Sequence, residues 1–172
     1  MRATRASLEF GTMRKLLVVC MGNICRSPMA LVALRTQAKR ERLEALVSVD
    51  SAGTHAGHFG EKPDPRAEAA LLRRGYELGR IRSRKVSIQD FSRFDLIFAM
   101  DSANLIAMQQ TCPPEHADKL HLFMAYGAAP GQNDLPVEVP DPYYGNVAGF
   151  EHVLDLCEVG ARQILAKLAV LP

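Results

Sequence analysis

Residues 15–20 (KLLVVC) are a short apolar run without the alternation of a half-exposed strand. Such a run predicts a strand buried on both faces of a parallel sheet. Pro28 follows where a first helical turn tolerates it, and Met29, Leu31, Val32, Leu34 and Arg35 fit a helix ending near Arg42. Further strands are expected at residues 46–50 and 94–99, with a fourth within 120–126, and helices at 65–74, 102–110 and 149–168. Strands alternating with helices imply right-handed βαβ units in a three-layer α/β domain, a parallel sheet flanked by helices. In such sheets ligands bind off the carboxyl ends of the strands. Residues 127–146, rich in Gly, Pro and Asn, form a long irregular segment, and loops of that length in compact domains tend to be functional.

Composition narrows the class. A chain of 172 residues, 48% hydrophobic, suits one domain with a substantial core. Residues 1–12 lack periodicity and precede a second methionine, so they read as a tail or an added extension, leaving residues 13–172 as the domain. A formal charge of +2 from 21 basic and 19 acidic residues gives no electrostatic case for nucleic acid or a membrane surface. No apolar run approaches the roughly 20 residues of a spanning helix, so a soluble, cytoplasmic protein is expected. The four cysteines form no CxxC pair, which argues against a disulfide framework and a zinc site; His58, His116, His121 and His152 lack ligand spacing. No metal or cofactor is expected.

The chemistry concentrates where the first strand ends. Residues 20–28, Cys20-Met21-Gly22-Asn23-Ile24-Cys25-Arg26-Ser27-Pro28, lead from strand to helix, so their amides converge where a helix N-terminus already favours an anion. Gly22 and Asn23 are the residue types that most readily accept left-handed angles, which lets successive N–H groups curl around a tetrahedral oxyanion. Cys20 would sit beneath a bound phosphorus, where the helix dipole, the amides and Arg26 favour its thiolate. Arg26 offers a planar fork for two equatorial oxygens. Spacing alone proves little: with four cysteines and 15 arginines, a Cys-x5-Arg pair arises by chance about a third of the time. Cys20 as a buried strand-end thiol and Arg26 as a snorkelling helix-start residue is the plainer alternative.

This string, from Val19 to Ala30, resembles the active-site loop of the low-molecular-weight protein-tyrosine phosphatases in residue type and position. Similarity continues through Asp50-Ser51-Ala52-Gly53-Thr54, Pro63-Asp64-Pro65-Arg66-Ala67, Phe94-Asp95-Leu96-Ile97 with Met100-Asp101, and Asp141-Pro142-Tyr143-Tyr144-Gly145. The resemblance implies a four-stranded parallel sheet with the phosphate loop after strand one. It implies Cys20 as nucleophile, Arg26 as clamp, Asp141 as general acid, Asn23 and Ser27 as loop organisers and Ser51 as the partner of Asn23. Met21, Gly22, Ile24 and Cys25 complete the loop, and Cys25 resembles the family's second loop cysteine, which captures an oxidised nucleophile. Tyr143, Tyr144 and Phe59 are expected in the substrate cleft. The implied partners are tyrosine-phosphorylated proteins or peptides, and inorganic phosphate or oxyanion inhibitors.

Two positions depart from the family pattern. Where the family commonly has a cleft tryptophan, this chain has Gly57 followed by His58 and Phe59, which predicts a more open cleft. Where many members have a histidine supporting the loop asparagine, it has Ile81, which leaves Asn23 to Ser51. Arg73, Arg74, Arg80, Arg82, Arg84 and Lys85 read as a solvated helix end and loop, with phosphopeptide steering as the alternative. Rival functions are an arsenate reductase on the related fold, an arginine-phosphate phosphatase, and a non-catalytic phosphate-binding or redox-sensing module. Cys112 and Cys157 lack a relay spacing, Ile24 stands where arginine-phosphate members carry threonine, and pure binding needs no acid such as Asp141.

Overall fold

In the computed structural model, which describes residues 12–55 and 57–171, the apolar run lies at the heart of the sheet. Strand β1 (Arg14–Cys20) runs parallel between β2 (Val47–Gly53) and β3 (Leu96–Ala99), and β3 pairs with β4 (Leu120–Leu122), giving the order β2-β1-β3-β4. The absence of alternation in β1 is explained by burial on both sides. Leu16, Val18 and Cys20 join the core shared with α1 (Arg26–Arg40), α2 (Pro65–Arg73) and α6 (Val147–Ala169). Leu17 and Val19 join a smaller core with residues of α3 (Ile88–Arg93) and α4 (Ser102–Gln109). The two layers of helices on one sheet match the expected architecture.

Several boundaries differ, each for a physical reason. Helix α1 starts two residues before Pro28; its first four N–H groups have no intrahelical acceptor, so proline at the third position costs no bond. The fourth strand is only three residues long. A helical turn, α5 (Phe123–Tyr126), replaces its expected remainder and buries Phe123 and Met124 together in the larger core, where a strand would send them to opposite faces. Helix α3 was not expected, although Ser87-x-x-Asp90 carries its signal: the Ser87 N–H donates to Asp90 Oδ2 at 2.8 Å. A 3-10 turn at Pro114–Lys119 is the other addition. The anticipated extension, residues 1–12, lies outside the described residues except for Thr12.

Gly160 of α6 lies directly against a core ring. A Cβ there would lie 2.2 Å from the ring of Phe123, which is itself fully buried. Gly160→Ala is expected to cost about 1–3 kcal/mol through overpacking. Urea unfolding should show a lower midpoint at unchanged slope; an unchanged midpoint would mean that α5 yields freely.

Candidate active site

The β1/β2 register sets Cys20 opposite Gly53 at the carboxyl edge of the sheet, and six residues later, at Arg26, α1 begins. The loop between them turns on Asn23, which has φ +55° and a fully buried side chain. Gly22 is not at positive φ, so of the two residues expected to take left-handed angles only Asn23 does so. The cost is met by bonds: Asn23 Nδ2 donates to Ser27 Oγ at 2.8 Å and Ser51 Oγ at 2.9 Å, and Oδ1 accepts from the Arg84 N–H at 3.0 Å. Asn23 therefore does not depend on Ser51 alone, and Ile81 is a buried core residue. Arg84 is held in turn by Asp50 at 2.9 Å and Asp90 at 2.8 Å. Gly53 lets β2 pass close beneath the loop: a Cβ there would lie 2.6 Å from the Met21 carbonyl oxygen.

Cys20 Sγ accepts from the Asn23 N–H at 3.3 Å and lies 3.1 Å from Ser27 Oγ. Because Asn23 already donates to Ser27 Oγ, the hydroxyl proton is left for the sulfur or for the Ala52 carbonyl, 3.3 Å away. A negatively charged sulfur draws it. The amides of Gly22, Ile24 and Cys25 have no acceptor among the described residues and are available to a ligand's oxygens.

Arg26 is 3% exposed, which demands partners for its charge. Nη1 donates to Asp101 Oδ2 at 2.5 Å and to the Val139 carbonyl at 3.2 Å, and Nη2 reaches Asp141 Oδ2 at 3.4 Å. Burial works to lower its pKa, but the bond to Asp101 and the nearby Cys20 and Asp141 charges outweigh it, so the net shift is upward and the guanidinium stays charged. Asp101 also accepts the Asn104 N–H at 2.7 Å, capping α4. One carboxylate thus ties this guanidinium to a helix start.

Asp141 comes from the irregular segment, between Pro140 and Pro142, and its Oδ1 accepts the Tyr143 N–H at 3.1 Å. Arg66 anchors that segment: it donates to the Tyr143 carbonyl at 3.0 Å, bonds Asp64 at 2.8 Å, and lies 5.5 Å from the Tyr143 ring centroid. A cavity of about 430 Å³ brings together Cys20, Arg26 and Asp141 beneath Tyr143 and Tyr144. Met21, Gly22, Ile24 and Cys25 also line it, while Asn23, Ser27 and Ser51 lie buried behind. Among the described residues no group of three His, Cys, Asp or Glu side chains is placed to hold a metal.

Residues 15–170 match the family model described as low molecular weight phosphotyrosine protein phosphatase. The chain belongs to that family. It is 43% identical over 151 residues to a low molecular weight protein-tyrosine-phosphatase of Streptomyces coelicolor, covering 87% of this chain and 90% of the relative. The human low molecular weight phosphotyrosine protein phosphatase is 33% identical over 154 residues, covering 90% and 95%. A solved protein tyrosine phosphatase of Entamoeba histolytica, with Hepes in its active site, superposes at a TM-score of 0.84 and 37% identity, covering 91% of this chain and 97% of that one.

One cleft expectation for this phosphatase is corrected. Phe59 is 74% exposed and does not line the cavity; His58 lines it instead, held by Glu61 at 2.8 Å, and Gly57 lies beside it with open space where a side chain would stand. Three residues gained a role that the sequence reading did not give them. Asp101, Arg66 and Arg84 appeared only as family strings or surface charge, because their partners lie 75, 77 and 61 positions away. The available signal was local: Asp101 and Asp64 each precede a helix as N-caps.

Asp101→Ala is expected to lower stability by on the order of 2–4 kcal/mol, since it strands a buried guanidinium and removes a cap. Phosphate affinity should fall with it, measured by calorimetry on the folded fraction; unchanged affinity would show that Arg26 needs no such tie. Cys25 gives a pH prediction. Burial first, then the Asp64, Cys20 and Asp141 charges, push its thiol up to about 12, so its thiolate is scarce at neutral pH and grows about tenfold per pH unit. After peroxide converts Cys20 to a sulfenic acid, attack by Cys25 forms the disulfide and releases water. Its rate, followed by thiol counting, should rise between pH 7 and 9; a flat profile argues against Cys25 as the attacking thiol.

Proposed function

We propose that this phosphatase hydrolyses phosphotyrosine in proteins or peptides through a phosphocysteine intermediate. The observation that carries the reading is the meeting of Cys20, Arg26 and Asp141 in one tyrosine-walled cavity. In the first step the Cys20 thiolate attacks phosphorus in line, the P–O bond to the aryl group breaks, and Asp141 gives its proton to the departing phenolate. Arg26 and the loop amides hold the three equatorial oxygens as charge redistributes over them. In the second step water attacks the phosphocysteine, Asp141 takes the water's proton, and the P–S bond breaks to return thiolate and inorganic phosphate. Asp141 is 43% exposed, so water reaches it.

The site bears on the alternatives. The arsenate reductase alternative is not favoured by the family match. Ile24 contributes an apolar wall to the cavity, which supports an aryl over a guanidinium leaving group. Tyr143 and Tyr144, with ring centroids 4.9 Å apart, offer faces for the substrate ring. In this reading residues 13–172 form one phosphatase domain that meets phosphoproteins in the cytoplasm and needs no cofactor. No helix among the described residues is long and apolar enough to cross a membrane.

Asp141→Asn tests the acid role through the leaving group. A tyrosine phenol has a pKa of about 10, so proton donation should contribute roughly 10²- to 10⁴-fold to its departure. Nitrophenol is far more acidic and needs the proton less. The burst of released phenol should therefore slow much more with phosphotyrosine than with p-nitrophenyl phosphate. Equal losses would make Asp141 an orienting residue. Cys20→Ser should abolish the burst with both substrates.

A further inference from the structure

Two segments of the chain bond to the backbone of the phosphate loop. The Asp64 N–H donates to the Ile24 carbonyl at 2.8 Å, and Ser83 Oγ donates to the Gly22 carbonyl at 2.9 Å. The segments are also paired, Gly60 N–H to the Ser83 carbonyl at 2.8 Å and Ser83 N–H to the Glu61 carbonyl at 2.9 Å. Inward positions Pro63, Ile81 and Ser83 are buried, so the outward ones, Lys62, Arg80 and Arg82, stand together in solvent. They line a hollow of about 330 Å³ whose one carboxylate is Glu68, leaving two positive charges in excess.

A charged surface is ordinarily just solvated. Here three features set it apart. The cations line a concave site. None of the three has a carboxylate within ion-pair distance among the described residues, whereas neighbouring Arg66, Arg73, Arg74 and Arg84 are all paired. The hollow is also close to the cleft: Lys62 follows His58 of the cleft wall by four residues, so at most about 14 Å of chain separates them, the span of about four residues of extended peptide.

We propose that this shelf receives Asp or Glu side chains flanking the phosphotyrosine, so that the preferred substrate is an acidic phosphopeptide; the proposal rests on the phosphotyrosine reading above. The arginine forks suit carboxylates, and an exposed shelf of one sign also speeds encounter. The hollow holds the substrate's flank and takes no part in phosphoryl transfer.

The test compares kcat/KM for a phosphotyrosine peptide with Glu at positions about three and four residues to either side, the same peptide with Gln there, and p-nitrophenyl phosphate. The wild type should favour the acidic peptide about fivefold at low salt, the size expected of one or two exposed ion pairs. The preference should fade near 0.5 M salt. Arg80→Gln with Arg82→Gln should abolish it and leave the Gln peptide and p-nitrophenyl phosphate unchanged. Arg80→Glu with Arg82→Glu should transfer the preference to a Lys-flanked peptide. Equal rates on the acidic and neutral peptides in the wild type, or a preference that survives the double substitution, would overturn the shelf while leaving the phosphotyrosine reading intact. Failure to turn over either phosphotyrosine peptide despite activity on p-nitrophenyl phosphate would instead overturn that reading, and this inference with it.

Discussion

A single buried amide holds the site in shape. Asn23 adopts a backbone angle that costs free energy, and it persists because Ser27, Ser51 and the Arg84 N–H occupy both ends of its side chain. Those partners belong to α1, to β2 and to the segment before α3, so the loop conformation is fixed by elements far apart in sequence. Once the loop is set, the Asn23 N–H donates to the Cys20 sulfur, and the amides of Gly22, Ile24 and Cys25 are left without an acceptor among the described residues. The sheet supplies the foundation. β1 is immovable because both of its faces are packed, and Gly53 lets its neighbour approach without displacing the loop.

Charge is handled by the same logic. A buried guanidinium is costly unless paired, and Arg26 is paired with Asp101 on one side and approached by Asp141 on the other. The Asp101 contact fixes the fork's plane and uses one nitrogen, so in the reaction proposed above a phosphate would meet a fork already oriented. Preorganisation of this kind avoids reorganisation during transfer, where it would add to the barrier.

The fold was legible where burial is uniform and local. The apolar run of β1, the strand–loop–helix passage at Cys20 and the long helix at the C-terminal end all announce themselves by composition and period. The fourth strand was overestimated, because an apolar stretch reports burial without saying whether Phe123 and Met124 point to one side or to two. At the site, the strand-to-helix placement of residues 20–28 was readable from their own sequence, whereas the meeting of Asp141 with Cys20 in one cavity was expected only from the combination of the two. Asp101, Arg66 and Arg84 were not, since a polar residue looks the same locally whether it faces water or a partner many residues away. Phe59 was misplaced because the resemblance set it in the stretch where the family carries its cleft tryptophan, whereas here it stands on an exposed turn and His58 lines the cavity.

The anchoring of the irregular segment by Arg66 separates two design problems. Cys20 and Arg26 are carried by the sheet edge and α1, whereas Asp141 and the tyrosines ride on a long segment fastened to α2 through Arg66. Changes at Tyr143 and Tyr144 can therefore reshape the cavity wall on their own, whereas changes at Val139 or Asp141 reach Arg26 as well, because both contact its guanidinium.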